Sequence, residues 1–95
     1  MTDLAGKTAF ITGGASGIGR SIAKLVAGRG GLSIIADINP EAVRRTGEEL
    51  GCEYYTLDVS DIDATEALAR KIWVTHDGVD LVFACLLYTS DAADD

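Results

Sequence analysis

Residues 8 to 19 read Thr-Ala-Phe-Ile-Thr-Gly-Gly-Ala-Ser-Gly-Ile-Gly, and this stretch constrains the fold more than any other. The apolar run Ala9, Phe10 and Ile11 predicts a buried strand over 8–12. Behind it come Gly13, Gly14, Gly17 and Gly19. In the segment that follows, Ile18, Ile22, Leu25 and Val26 fall on one side of a 3.6-residue period. The pattern predicts strand, tight turn and helix (about 18–29) in immediate succession. Glycine tolerates positive φ and lets the main chain come close to a ligand. The first turn of a helix carries N–H groups with no intrahelical acceptor, which suit an anion.

The rest of the chain repeats the alternation. Gly28, Gly30 and Gly31 end the first helix, and the apolar run 32–36 predicts a parallel strand buried on both faces, ending at Asp37. Asn39 and Pro40 read as an N-cap and a first helical position for a helix over 40–50, with Gly47 weakening its interior by about 1 kcal/mol relative to alanine. Gly51 closes that helix, and 53–57 is a third strand. Ser60 with Asp63 resembles a capping box for a helix over 61–76, where Thr65, Leu68, Ala69 and Ile72 form the inner stripe. Asp77-Gly78 turns the chain into a fourth strand over 79–84. Such a β-α-β-α-β-α-β order favours right-handed crossovers and a parallel sheet with helices on both faces. Ligands of such sheets sit at the carboxyl ends of the strands.

Composition removes several functions. Acidic residues outnumber basic ones, 15 to 8, for a formal net charge of −7, which argues against a nucleic-acid partner. No membrane-length apolar run and no signal-peptide pattern are present, so the expectation is a cytoplasmic chain without a membrane partner. Cys52 and Cys85 make neither a disulfide framework nor a metal pattern. His76, the only histidine, sits beside Asp77 at a helix end and reads as a surface residue.

The glycine spacing narrows the choice further. G-x-G-x-x-G is absent, and no lysine follows Gly19 as a nucleotide-hydrolase phosphate loop requires. Thr12 to Gly19, TGGASGIG, instead resembles the TGxxxGIG signature of the short-chain dehydrogenase/reductase family. The resemblance implies an α/β fold: a Rossmann-like parallel sheet of spatial order 3-2-1-4 with flanking helices, here truncated after about the fourth strand. It implies a dinucleotide cofactor held by Gly13, Ser16, Gly17, Ile18 and Gly19, with Ser16 over the pyrophosphate and Ile18 on the nicotinamide side. Asp37, eighteen residues after Gly19, stands where the family places the acid that accepts the adenosine-ribose hydroxyls. Basic residues that favour a 2′-phosphate are replaced by Ser16 and Ile38, so NAD is expected over NADP. Asp58 and Val59 occupy the positions that contact adenine. Arg20 reads equally as a phosphate-screening group and as a solvated surface arginine.

The resemblance stops at the fourth strand. After Val79-Asp-Leu-Val-Phe83 the family continues into Asn-Asn-Ala-Gly, whereas this chain reads Ala84-Cys-Leu-Leu-Tyr-Thr-Ser-Asp-Ala-Ala-Asp-Asp95. None of Tyr54, Tyr55 and Tyr88 has a lysine four residues on, so no Tyr-x-x-x-Lys proton relay is present and no catalytic residue is assigned. The run from Cys85 to Asp94 matches the translation of a transposase-type sequencing adapter. Residues 1–84 are therefore expected to be the N-terminal part of a dinucleotide-binding domain, and 85–95 a non-native tail.

Three readings of function stand side by side. In the first, the chain is the NAD-binding opening of an oxidoreductase that moves a hydride between nicotinamide and a carbonyl or secondary alcohol of a small molecule. Members of the resembled family are commonly dimers or tetramers through later helices, so a homo-oligomer is open only to the full-length protein. The second is a catalytically dead module that holds a nucleotide or pairs with a partner. The third is a non-functional translation product. In the first reading, too, a chain that stops after four strands leaves a sheet edge and apolar helix faces uncovered. Amplifying the gene from source DNA with a primer near the Asp58 codon tests the tail. The expected frame runs from Ala84 into Asn-Asn-Ala-Gly; a genomic frame that encodes the same final eleven residues, Cys85 to Asp95, overturns the adapter reading.

Overall fold

The computed structural model describes residues 3–84 of the 95-residue chain. In order they form β1 (Thr8–Thr12), α1 (Gly17–Gly28), β2 (Leu32–Asp37), α2 (Pro40–Leu50), β3 (Glu53–Thr56), α3 (Ile62–His76) and β4 (Leu81–Ala84). The four strands make one parallel sheet of order β3-β2-β1-β4. The assignments to 85–95, and the extension of β4 through Leu86 or Leu87 that their apolar character suggests, lie outside the described residues.

Alternation along the strands builds two cores, one on each face. Phe10, Ile34 and Ala36 point to one face and meet Leu57 and Ile72 of α3. Ile11 and Ile35 point to the other, against Ala23 of α1 and Val43 of α2. Ile11, Ile34, Ile35, Val43 and Ile72 are almost wholly buried, each contributing about 1.5–3 kcal/mol by burial. The direction of the sheet explains why the helices divide. The chain steps outward from β1 to β2 to β3 and then returns past β1 to β4, so a right-handed crossover puts α3 on the opposite face.

β1 is buried along its whole length because it lies between β2 and β4. Asp80 fixes the register of β4. Its carboxylate accepts the Thr8 N–H at 2.8 Å while its own N–H donates to the Thr8 carbonyl at 2.8 Å. That side-chain bond replaces the ladder, so β4 begins at Leu81 and not at Val79. Leu57 likewise leaves β3 one residue early, its N–H donating to the Asp37 carbonyl at 2.8 Å. The uncovered surface expected from the sequence is present. Val82 on β4 is 68% exposed, with Ile62, Trp73 and Val74 of α3 also exposed.

Two local expectations are corrected. Asp61, not Ser60, caps α3: its carboxylate accepts the Ala64 N–H at 3.1 Å, while Ser60 turns back to Asp58. Asp is as good a cap as Ser, and sequence spacing does not separate adjacent candidates. Gly47 is not a mere weak point in α2. A methyl group there would collide with the Cδ2, Cγ and Cβ atoms of Tyr54, so α2 and β3 approach too closely for any side chain. Helix propensity alone expects Gly47→Ala to stabilise by about 1 kcal/mol. The packing expects destabilisation of about 1–3 kcal/mol, read as a lowered urea midpoint.

Candidate functional site

The carboxyl ends of β1, β2 and β3 place every residue singled out for cofactor binding on one edge of the sheet. At the end of β1 the Thr12 hydroxyl donates to the Phe83 carbonyl at 3.4 Å, tying β1 to β4 where the strand order reverses. Gly13 follows with φ +68°, which turns the chain sharply. Gly14 is buried, and its N–H donates to the Ala36 carbonyl at 3.0 Å. A Cβ there would stand 2.5 Å from the Ile35 Cβ, so the turn presses directly on β2.

Ser16 caps α1. Its hydroxyl donates to the Gly13 carbonyl at 2.6 Å and accepts the Gly19 N–H at 3.3 Å. In this arrangement the hydroxyl proton is committed to the turn. Gly19 is buried, and a Cβ on it would run into the Gly13 carbonyl oxygen. That contact is backbone on backbone and cannot relax by a rotamer change. Gly17 is the opposite case, because a Cβ there would meet nothing within 4 Å. Gly17 and Ile18 are the first two residues of α1, so their N–H groups have no intrahelical acceptor. Ile18 is 67% exposed above them.

Asp37 ends β2 beside this turn. One carboxylate oxygen accepts the Ala15 N–H at 3.0 Å and the other accepts the Asn39 N–H at 3.2 Å. Asp58 follows β3 and accepts both the Ser60 hydroxyl at 2.7 Å and the Ser60 N–H at 3.0 Å. Those two bonds, the hydroxyl's first, hold its carboxyl below the usual aspartate value. Val59 is exposed next to it. The structure thus gathers Gly13, Ser16, Gly17, Ile18, Gly19, Asp37, Asp58 and Val59 along the same edge. The bond from Asp37 to Ala15 has no sequence signal, since it spans 22 residues.

Other polar residues have partners that the sequence does not show. Arg20, in the first turn of α1, is a partly exposed surface arginine ion-paired with Glu49 of α2. His76 lies at a helix end as expected, yet its side chain is only 16% exposed and its Nε2 sits 2.9 Å from Glu53 Oε1. The Tyr55 hydroxyl donates to the other Glu53 oxygen. That bond, with burial and the carboxylate's charge, pushes the phenol up to about 12, so it keeps its proton at neutral pH. Glu53 opens β3, which puts this cluster at the opposite edge of the sheet from the glycine turn. Cys52 packs against the core cluster of Ile11, Ala23, Ile35 and Val43, and burial pushes its thiol up, away from the reactive thiolate. Among the described residues no three His, Cys, Asp or Glu side chains gather as a metal site. Nor is any helix there long and apolar enough to cross a membrane.

A profile of the short chain dehydrogenase family matches residues 7–86. The chain belongs to this family. Among individual relatives, (-)-isopiperitenol/(-)-carveol dehydrogenase, mitochondrial, of Mentha piperita is 40% identical over 84 residues, covering 84% of this chain and 32% of that protein. The (+)-cis,trans-nepetalactol synthase NEPS2 of Nepeta racemosa is 36% identical over 84 residues, covering 84% of this chain and 31% of that protein. A solved short-chain type dehydrogenase/reductase from Mycobacterium ulcerans superposes with a TM-score of 0.88 at 23% identity, covering 94% of this chain and 35% of that one. The chain spans about a third of the length of the curated relatives it matches. Its parallel sheet flanked by helices is the Rossmann-like arrangement of this short-chain dehydrogenase fold.

Asp58 gives a test of the site's electrostatics. Its folded carboxyl value is depressed, so the Asp58–Ser60 turn is held above the ordinary aspartate range and released as pH falls through the lowered value. Ser60→Ala removes the larger of the two bonds. The Asp58 carboxyl should then rise toward the ordinary value of about 3.9, read by carbon NMR of the side chain against pH. An unchanged titration would show that the hydroxyl contributes nothing.

Proposed function

We propose that the chain is the NAD-binding N-terminal part of an oxidoreductase that transfers a hydride between nicotinamide and a carbonyl or secondary alcohol. The observation that carries this reading is the vacant space over Gly17, where a side chain would meet no protein atom. Beside it stand the uncommitted N–H groups of Gly17 and Ile18 and the positive end of α1. Every other glycine of the turn has a reason within the fold. Gly13 takes positive φ, while Gly14 and Gly19 are pinned by contacts. Gly17 has none, and a pyrophosphate lying against the helix start supplies one.

The remaining residues fit the rest of a dinucleotide. The Asp37 carboxylate can accept ribose hydroxyls and would meet a 2′-phosphate with like charge, which favours NAD over NADP. Asp58, held ionised by Ser60, is an acceptor suited to an amino group of adenine, with Val59 as an apolar neighbour. Bound nicotinamide supplies hydride chemistry; the chain's own residues supply binding and orientation. A small-molecule substrate is supported by the relative named for alcohol dehydrogenation. Neither Tyr54 nor Tyr55 has a lysine four residues on, and Tyr55 lies at the opposite edge of the sheet from the glycine turn, so neither is assigned proton transfer.

Two substitutions separate fold from binding. Calorimetric titration of the chain with NAD should show saturable binding, weaker for NADP. Gly17→Ala should leave the urea midpoint unchanged or higher, yet weaken NAD at least about tenfold, because the new methyl stands where phosphate would lie. Gly19→Ala should instead lower the midpoint itself, by about 1–3 kcal/mol of stability. A chain that is folded and does not bind NAD, or a Gly17→Ala variant that binds it equally well, overturns the reading.

A further inference from the structure

Two consecutive N–H groups fasten the glycine turn to β2, and they use different kinds of acceptor. Gly14 donates to the main chain, at the Ala36 carbonyl; Ala15 donates to a side chain, the Asp37 carboxylate. The next N–H, of Ser16, folds back onto Gly13 within the turn. Among the described residues the Asp37 bond is the one hydrogen bond made by the Ala15 N–H. The other Asp37 oxygen holds the Asn39 N–H, and Asn39 caps α2 through the Ala42 N–H at 3.0 Å. A single carboxylate therefore joins the cofactor turn, the end of β2 and the start of α2.

We propose that Asp37 is a positioning residue for the glycine turn, in addition to any contact it makes with ribose. This rests on the NAD-binding reading above for its functional consequence, though not for the geometry. An ionised carboxylate offers about four lone-pair positions, of which two are taken by Ala15 and Asn39 and two remain for a pair of vicinal hydroxyls. Its bonds to N–H groups are charge-assisted, roughly twice as strong as those of a neutral acceptor. Neutralising Asp37 thus does two things together. It removes the ribose acceptor, and it frees Ala15, the residue between Gly14 and the Ser16 cap. Changing Asp37 alone then lowers the affinity for both NAD and NADP through the shared pyrophosphate seat, in addition to any change in preference from the lost charge.

The test uses the full chain, Asp37→Ala and Asp37→Asn. Amide hydrogen exchange by NMR reads the turn, with the buried Ile11 N–H of β1 as the reference for global opening. The Ala15 N–H should be protected in the unaltered chain. It should exchange about tenfold faster or more in Asp37→Ala relative to Ile11, the loss expected of a hydrogen bond to a charged group, with Asp37→Asn between the two. Ala15 exchanging at the unprotected rate in the unaltered chain overturns the proposal without any variant. So does unchanged protection in either variant.

The ligand probe is 2′,3′-dideoxyadenosine diphosphate, which keeps adenine and pyrophosphate and lacks both ribose hydroxyls. If Asp37 only contacts ribose, the unaltered chain and Asp37→Asn bind this analogue equally, and the positioning role is overturned. If it also holds the turn, the variant binds it several-fold more weakly. Should the unaltered chain bind neither NAD nor the analogue, the cofactor reading falls, while the Ala15 exchange rates still decide whether Asp37 holds the turn.

Discussion

The first turn of α1 rests on the backbone of Gly13, and the geometry of the sheet's carboxyl edge depends on that contact. Gly19 comes so near the Gly13 carbonyl that no side chain fits between them. Ser16 bonds to both partners and locks the distance. Because Gly14 simultaneously presses on Ile35, the turn is squeezed between helix and sheet and has little room to relax. The start of the helix is thereby aimed across the ends of β1 and β2, with its positive end facing outward.

An anion meeting this edge would find main-chain dipoles, not side-chain cations. The first turn of α1 carries one basic residue, Arg20, and Glu49 holds it. The flanking groups Asp37 and Asp58 are both acidic, in a chain whose net charge is already −7. Binding by fixed N–H groups costs little reorganisation and is directional, so it discriminates by shape as much as by charge. The two carboxylates then suit the hydroxyl and amino groups of a nucleoside and disfavour further phosphates near them.

Much of this was legible from residue order. The strand and helix sequence followed from apolar runs broken by Gly13, Gly51 and Asn39-Pro40, each acting through local backbone preference. What was not legible came from contacts between distant residues. Gly47 reads as a helix flaw until Tyr54 is seen against it. His76 reads as a surface group until Glu53 closes on it across 23 residues. Asp37 reads as a strand-end acid, and only the fold shows its bond to Ala15. The choice between Ser60 and Asp61 as cap turned on which side chain faced α3, since both have the chemistry. Resemblance to a family supplied the roles expected of the site residues, which spacing alone could not.

The order β3-β2-β1-β4 has a consequence for how such a chain is made. β2 adds to β1, β3 adds to β2, and β4 adds to the free side of β1. Each strand on leaving the ribosome therefore finds its neighbour already synthesised, and no gap waits for a later segment to fill it. The glycine turn, Asp37 and Asp58 are all laid down before β4 closes beside them. A carboxyl edge of this topology can take shape during synthesis, from its N-terminus onward.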